Sequence, residues 1–250
     1  MAIFQNPFNP QPPPVPTLTK ITAAPTNIVS KYTPHPEAQS LLRQGHTPTQ
    51  YAQALQQGKF SQDHIHFLAH GMPEQESVCW ACKSSAKVAD KLEPADKSAL
   101  QAAQAWAKNP TPATQQAAAA AAAKTNFQGP GAWAAQGAAW AKTPGVPPKP
   151  TPPNLTGHAV AGSVMLAAAM SAPKPPSAPK PPTFKAPTAP TAPKAPTLQA
   201  PAMPKAPTFQ APKLEMPKPP TLPERAQIAK IHQPFIAQGH AIASGKESCA

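Results

Sequence analysis

The sequence predicts an all-α protein, and three observations carry that prediction. Proline recurs where a helix would start and glycine where one would stop. No stretch alternates β-branched and polar residues with the period of a strand. All four tryptophans, Trp80, Trp106, Trp133 and Trp140, fall in one alanine-rich stretch. Small residues let helix axes approach, and indole rings fill the volume left over, so these four are the expected core-packing residues.

The elements follow in order from Pro34. His35 to Arg43 places Ala38, Leu41 and Leu42 on one face, and Gly45 closes it. Thr47 can cap the next helix with Pro48 in its first turn, and Gly58 ends it. Ser61 can cap a third, which buries Ile65, Leu68 and Ala69 and stops at Gly71. Pro73 opens a helix to about Ala89 with Ser77, Trp80, Ala81, Ser84 and Val88 inward. Pro94 starts another, with Leu100, Ala103 and Ala107 in a stripe and Trp106 beside it. Thr111 and Pro112 precede the run Ala117 to Ala123, which has the highest helix propensity available. The segment Gly129 to Gly131 breaks it. Trp133 and Trp140 are two helical turns apart and so share a face of the following helix. Leu155 or Thr156 begins an alanine-rich helix ending near Met170. The expectation is about eight short helices over residues 34–172.

Two flanking regions read differently. Proline supplies 40 of the 250 residues, about three times its usual share. Ile, Leu, Val and Phe together supply only 35. Residues 1–33, led by Pro7, Pro10, Pro12, Pro13, Pro14 and Pro16, are expected to form a disordered arm, because proline fixes φ and removes backbone donors. Residues 173–222 are a Pro/Ala/Lys low-complexity tether, with Lys194 to Pro201 nearly duplicated by Lys205 to Pro212. Such a segment buries too little surface to offset its ordering entropy. Residues 223–250 should form an amphipathic helix that packs back on the helical domain. Ile228, Ile231, Phe235 and Ile242 form its docking face, and Pro234 should kink or restart it.

The formal charge is +12, and no Asp or Glu occurs between Asp96 and Glu215 while lysine recurs throughout. That excess suits an acidic partner or simply keeps an apolar, Pro/Ala-rich chain in solution. The cysteines, Cys79, Cys82 and Cys249, are too few and odd in number for a disulfide framework. The N-terminus shows no secretory leader pattern, and the apolar run Ala159 to Ala172 is shorter than a membrane span. A cytoplasmic protein without membrane insertion is expected.

Chemistry-bearing motifs are sparse. Cys79 and Cys82 form a CxxC, but inside a helix of an all-α region rather than at the helix N-terminus a redox motif needs. His66 and His70 are one helical turn apart, and with Cys79 and Cys82 they form the one candidate set for a structural zinc. Otherwise these histidines make a solvated or interfacial face. No phosphate loop, nucleophile elbow or metalloprotease helix is present. No catalytic residue and no cofactor is expected.

Four stretches, His35 to Ala38, Phe67 to His70, Pro73 to Cys82 and Leu155 to Gly162, together resemble an uncharacterised bacterial family of alanine-rich, all-helical proteins of unknown function. The resemblance covers about residues 34–172 and the C-terminal helix. Members of that family are sometimes encoded among type VI secretion genes, near adaptors and spike-tip proteins, which implies an accessory role and assigns no catalytic residue. The tether departs from the family's compact pattern and reads as an insertion before the last helix. The expected function is that of a non-enzymatic interaction or adaptor protein with protein partners, secretion-system components among them. Two alternatives are a nucleic-acid-associated protein binding through the lysine-bearing tether, and a cell-envelope spacer.

Overall fold

The computed structural model describes residues 13–147, 153–173 and 222–249. Among them are ten α-helices, one 3-10 turn and no strand. The helices are α1 (Pro25–Val29), α2 (Pro36–Ser40), α3 (Pro48–Gln57), α4 (Ser61–Gly71), α5 (Glu74–Ala86), α6 (Pro94–Lys108), α7 (Pro112–Ala123), α8 (Pro130–Trp140), α9 (Leu155–Ser171) and α10 (Leu222–Ala243). The chain is therefore all-α, as its sequence predicts. The tether lies outside the described residues except at its two ends. No described helix is long and apolar enough to cross a membrane.

Local chemistry explains most helix starts. Thr47 and Gln50 form a capping box at α3, and Thr111 and Thr114 form one at α7, each with proline in the first turn. At α4 the cap is Phe60 rather than Ser61, and it makes no side-chain cap bond. Ser61 lies one residue inside, where its hydroxyl is 2.9 Å from His232 Nδ1.

The α8 start is built from a distance. Asp96, buried in the first turn of α6, accepts hydrogen bonds from the amides of Gly131 (3.1 Å) and Ala132 (2.6 Å). It satisfies two donors that a helix N-terminus leaves unpaired and lays negative charge on the positive end of the dipole. Only glycine fits beside it. A Cβ on Gly129 would lie 2.3 Å from Asp96 Cγ, and one on Gly131 would lie 2.4 Å from the Asp96 carbonyl.

Three layers of contact make the core. Helix α8 packs along α9, α6 and α7; α5 lies against α6, α8 and α9; α10 covers α4, α5 and α9. Trp80 and Trp106 are fully buried. Trp133 and Trp140 do share a face of α8, but that face is only half-buried, which corrects their expected place in the core. The inward face carries Ala132, Ala134, Ala135, Ala138 and Gly137, and a Cβ on Gly137 would lie 3.5 Å from Val160 Cγ2, in ordinary contact. Period alone shows that two residues share a side. It does not show which side is inward when the opposite one is alanine. Buried serines bind the layers: Ser163 donates to the Pro130 carbonyl at 2.8 Å and meets Ser85 at 3.2 Å.

Residues 13–33 correct the expected disordered arm; residues 1–12 lie outside the described part. Val15, Leu18, Ile21, Ile28, Val29 and Tyr32 are buried, and α1 packs on α4. The backbone finds partners outside itself. The Val15 amide donates to Gln53 Oε1 (2.6 Å), that of Leu18 to Thr49 Oγ1 (3.0 Å), and that of Lys20 to the Ala243 carbonyl (2.9 Å). Proline content argues against local structure. It does not prevent an extended strap from burying apolar side chains on a neighbour.

Helix α10 runs unbroken through Pro234, so the expected restart does not occur. Pro234 and Lys230, whose carbonyl the proline ring leaves without its usual donor, are both exposed, so water can reach the gap. Phe235, Ile236 and Ile242 are buried, and Ile228 and Ile231 are half-buried.

Asp96→Ala should lower stability by about 2 kcal/mol, because it strands two buried amides. Ser98→Ala, on the exposed side of the same turn, should stay within about 0.5 kcal/mol. Urea midpoints of the two variants check this, and equal midpoints would contradict the capping role.

Candidate functional site

The polar chemistry of the fold gathers on α4. Its sequence places Ser61 and His64 on one side and His66 and His70, one turn apart, on another. Packing gives each side a neighbour. Ser61 and His64 face α10, and His66 and His70 face α9 and Tyr32.

Toward α10 there are two polar rungs. His232 Nδ1 meets Ser61 Oγ at 2.9 Å, and His240 Nε2 meets His64 Nε2 at 2.9 Å. In the histidine pair one ring must carry the proton on Nε2 and the other accept it, so the two tautomers are linked. Both rings are buried. Burial, then the neighbouring His240, holds His64 well below its ordinary range. Burial lowers His240 to about 4 and lowers His232 as well.

Toward α9 three imidazoles converge. His158, exposed in the first turn of α9, meets His70 edge-on with centroids 4.6 Å apart and His66 at 6.0 Å. Tyr32 stacks on His66 (5.2 Å) and on His70 (5.6 Å), which fixes their planes. One nitrogen from each histidine lies within 4.8 Å of the other two. Gly157 makes the approach possible, since a Cβ there would lie 2.2 Å from His70 Nδ1. Burial, then the positive charge His158 can carry, pushes His66 down to about 4. The same causes, with His66 and Lys31 added, push His70 down to about 3. Both rings are therefore neutral near pH 7, the form that offers a lone pair. An open groove beside them is lined by Lys31, His70, Glu74, Lys142, Asn154 and Gly157.

The cysteines part company with the expected zinc set. Cys79 is disulfide-bonded to Cys249, so its sulfur is not available as a ligand. Cys82 stays a free, fully buried thiol, pushed up to about 12 by burial. Too few for a disulfide framework, the three cysteines nonetheless form this one bridge. Of the proposed four, His66 and His70 do come together, and their third neighbour is His158. The sequence reading missed His158, His232, His240 and Cys249. A signal for His158 existed: it directly follows a glycine at a helix start, where backbone can approach a bulky ring.

The chain belongs to a family of unknown function (DUF6931), whose model matches residues 51–180. The match runs from within α3 through α9, including all three converging histidines, and stops before α10. No curated protein and no solved structure matches the chain.

The five low-titrating histidines set a pH window. Each has a folded pKa below its ordinary 6.5, so the unfolded chain takes up protons first as pH falls. Stability should be level above pH 6.5 and fall as pH drops toward about 4, by up to about 1.4 kcal/mol per pH unit per ring. Thermal melts across that range check the sign; a melting temperature that holds level through it would contradict the burial of these rings as neutral groups.

Proposed function

We propose that this chain is a non-enzymatic interaction protein in which a closed helical body carries a Pro/Ala/Lys-rich segment that a protein partner binds. One observation carries the reading. The segment 174–221 leaves from the end of α9 and returns as α10, and both helices are packed into the same body. The return is fastened. Trp80 Nε1 donates to the Phe235 carbonyl at 2.9 Å, Lys83 Nζ pairs with Glu247 at 2.5 Å, and Cys79 is bonded to Cys249. A segment anchored at both ends has less conformational entropy to lose on binding than a free tail of the same length.

The resemblance to bacterial proteins encoded among type VI secretion genes supplies the context: an accessory that recruits or spaces adaptor or spike-tip components. Synthesis is cytoplasmic in this reading. The Cys79–Cys249 bridge then closes where the chain meets an oxidising space, as a protein working at a secretion apparatus would.

The test replaces residues 174–221 with a short Gly/Ser linker and compares both chains in pull-downs against the adaptor and spike-tip proteins encoded beside the gene. The full chain should retain one of them, and the shortened chain should lose it while keeping its helical circular dichroism and melting temperature. Retention by neither chain, or equal retention by both, would remove the proposal.

A further inference from the structure

We propose that His66, His70 and His158 bind a divalent transition cation of the borderline class, with Zn2+ as its type. The site goes beyond the interaction role and is independent of it. Two of the ligands sit at i and i+4 on α4, the spacing with which one helix face presents a pair of imidazoles to a metal. The third comes from α9, so the cation would join two helices that already pack together.

The geometry is close to what a cation needs. A nitrogen from each ring lies within 4.8 Å of the other two. Tetrahedral zinc at ordinary bond lengths needs about 3.3 Å between ligand nitrogens. The adjustment falls on His158, which is exposed and can turn inward, while Tyr32 holds the planes of His66 and His70. Two atoms call for a partner. His66 Nδ1 and His70 Nε2 are buried and have no hydrogen-bond partner among the described residues. Leaving such atoms unpaired in the interior is unfavourable, and a cation bound there would give them a partner. Gly157 admits His70 to within van der Waals reach of the α9 backbone, which is what brings His158 into range.

The donor set selects the metal class. Three imidazole ligands suit Zn2+, Ni2+, Co2+ and Cu2+, and they do not suit Mg2+ or Ca2+, which take oxygen ligands. The groove beside His70 provides a path for entry. Lys31 places a positive charge nearby, but its Nζ is held by the His70 carbonyl at 3.1 Å. That charge weakens binding relative to a site with a carboxylate and favours an anion or hydroxide as the fourth ligand.

The experiment uses the full chain without a histidine tag. Zn2+ is titrated in competition with a chromophoric chelator, and Co2+ is added separately to read coordination from its visible bands. The expected result is one equivalent per chain and cobalt bands of a low-coordinate nitrogen site. His158→Ala and His158→Asn, both at an exposed position, should bind about tenfold or more weakly, with the metal-free melting temperature unchanged. His46→Ala, on the connection between α2 and α3, should bind like the parent. Failure of the full chain to take up stoichiometric metal, or binding by both His158 variants as tight as the parent, would overturn the site.

Discussion

The rest of the structure depends on the burial of Trp80 beneath α10. The indole sits on α5 with no exposed surface, and its nitrogen finds its only required acceptor in the Phe235 carbonyl. Burying a ring of this size is among the largest single apolar gains in a core, but an unpaired N–H would cancel much of it. The covering helix must come close to do this. Gly239 permits it, since a Cβ there would lie 2.8 Å from Trp80 Cε2. Glycine inside a helix costs about 1 kcal/mol against alanine, and here the cost is offset by the contact it allows. Around the ring, Lys87 reaches the Pro234 carbonyl at 2.8 Å and lies over the Phe235 ring. The Cys79–Cys249 bond closes a separation of 170 residues, worth about 5 kcal/mol in the loop-closure account.

That dependence changes how the body is delimited. The family match ends at residue 180, yet α4 and α5 present Ser61, His64 and Trp80 to a helix that begins at Leu222. Without α10 these groups would face water, and His64 would lose the His240 ring. The strap at residues 13–33 then caps α10 from the far end through the Lys20 to Ala243 hydrogen bond. Helix α4 lies where these demands meet. One side serves the α10 seam and the other the histidine cluster, so a change on α4 is felt in both.

Sequence made the helix starts legible because their chemistry is local. Pro48, Pro94 and Pro112 each fix φ and remove a donor that the first turn would not use, and Thr47 and Thr111 complete their caps within three residues, whereas Pro130, which reads as part of a break, opens α8. What it hid was non-local. The Cys79–Cys249 bond and the His70–His158 contact join residues far apart in the chain, and no spacing rule connects them. The Trp133 and Trp140 assignment failed because alanine is small and apolar enough to be core or surface. The strap is hard to read from sequence because the proline-dense stretch that opens it masks the apolar residues after it, Leu18 to Tyr32, which are the ones that bury. On α10 the apolar stripe drew attention to Ile228 and Ile231, while His232 and His240 supply the polar contacts that fix the register.

The central claim is that α10 is an integral layer of the body and not an appendage. Native-state hydrogen exchange on the full chain tests it most directly. Amides of α10 from Phe235 to Ala243 should be protected to the same degree as those of α5 around Trp80 and exchange with them as one unit. Rapid exchange along α10 while α5 stays protected would contradict the account.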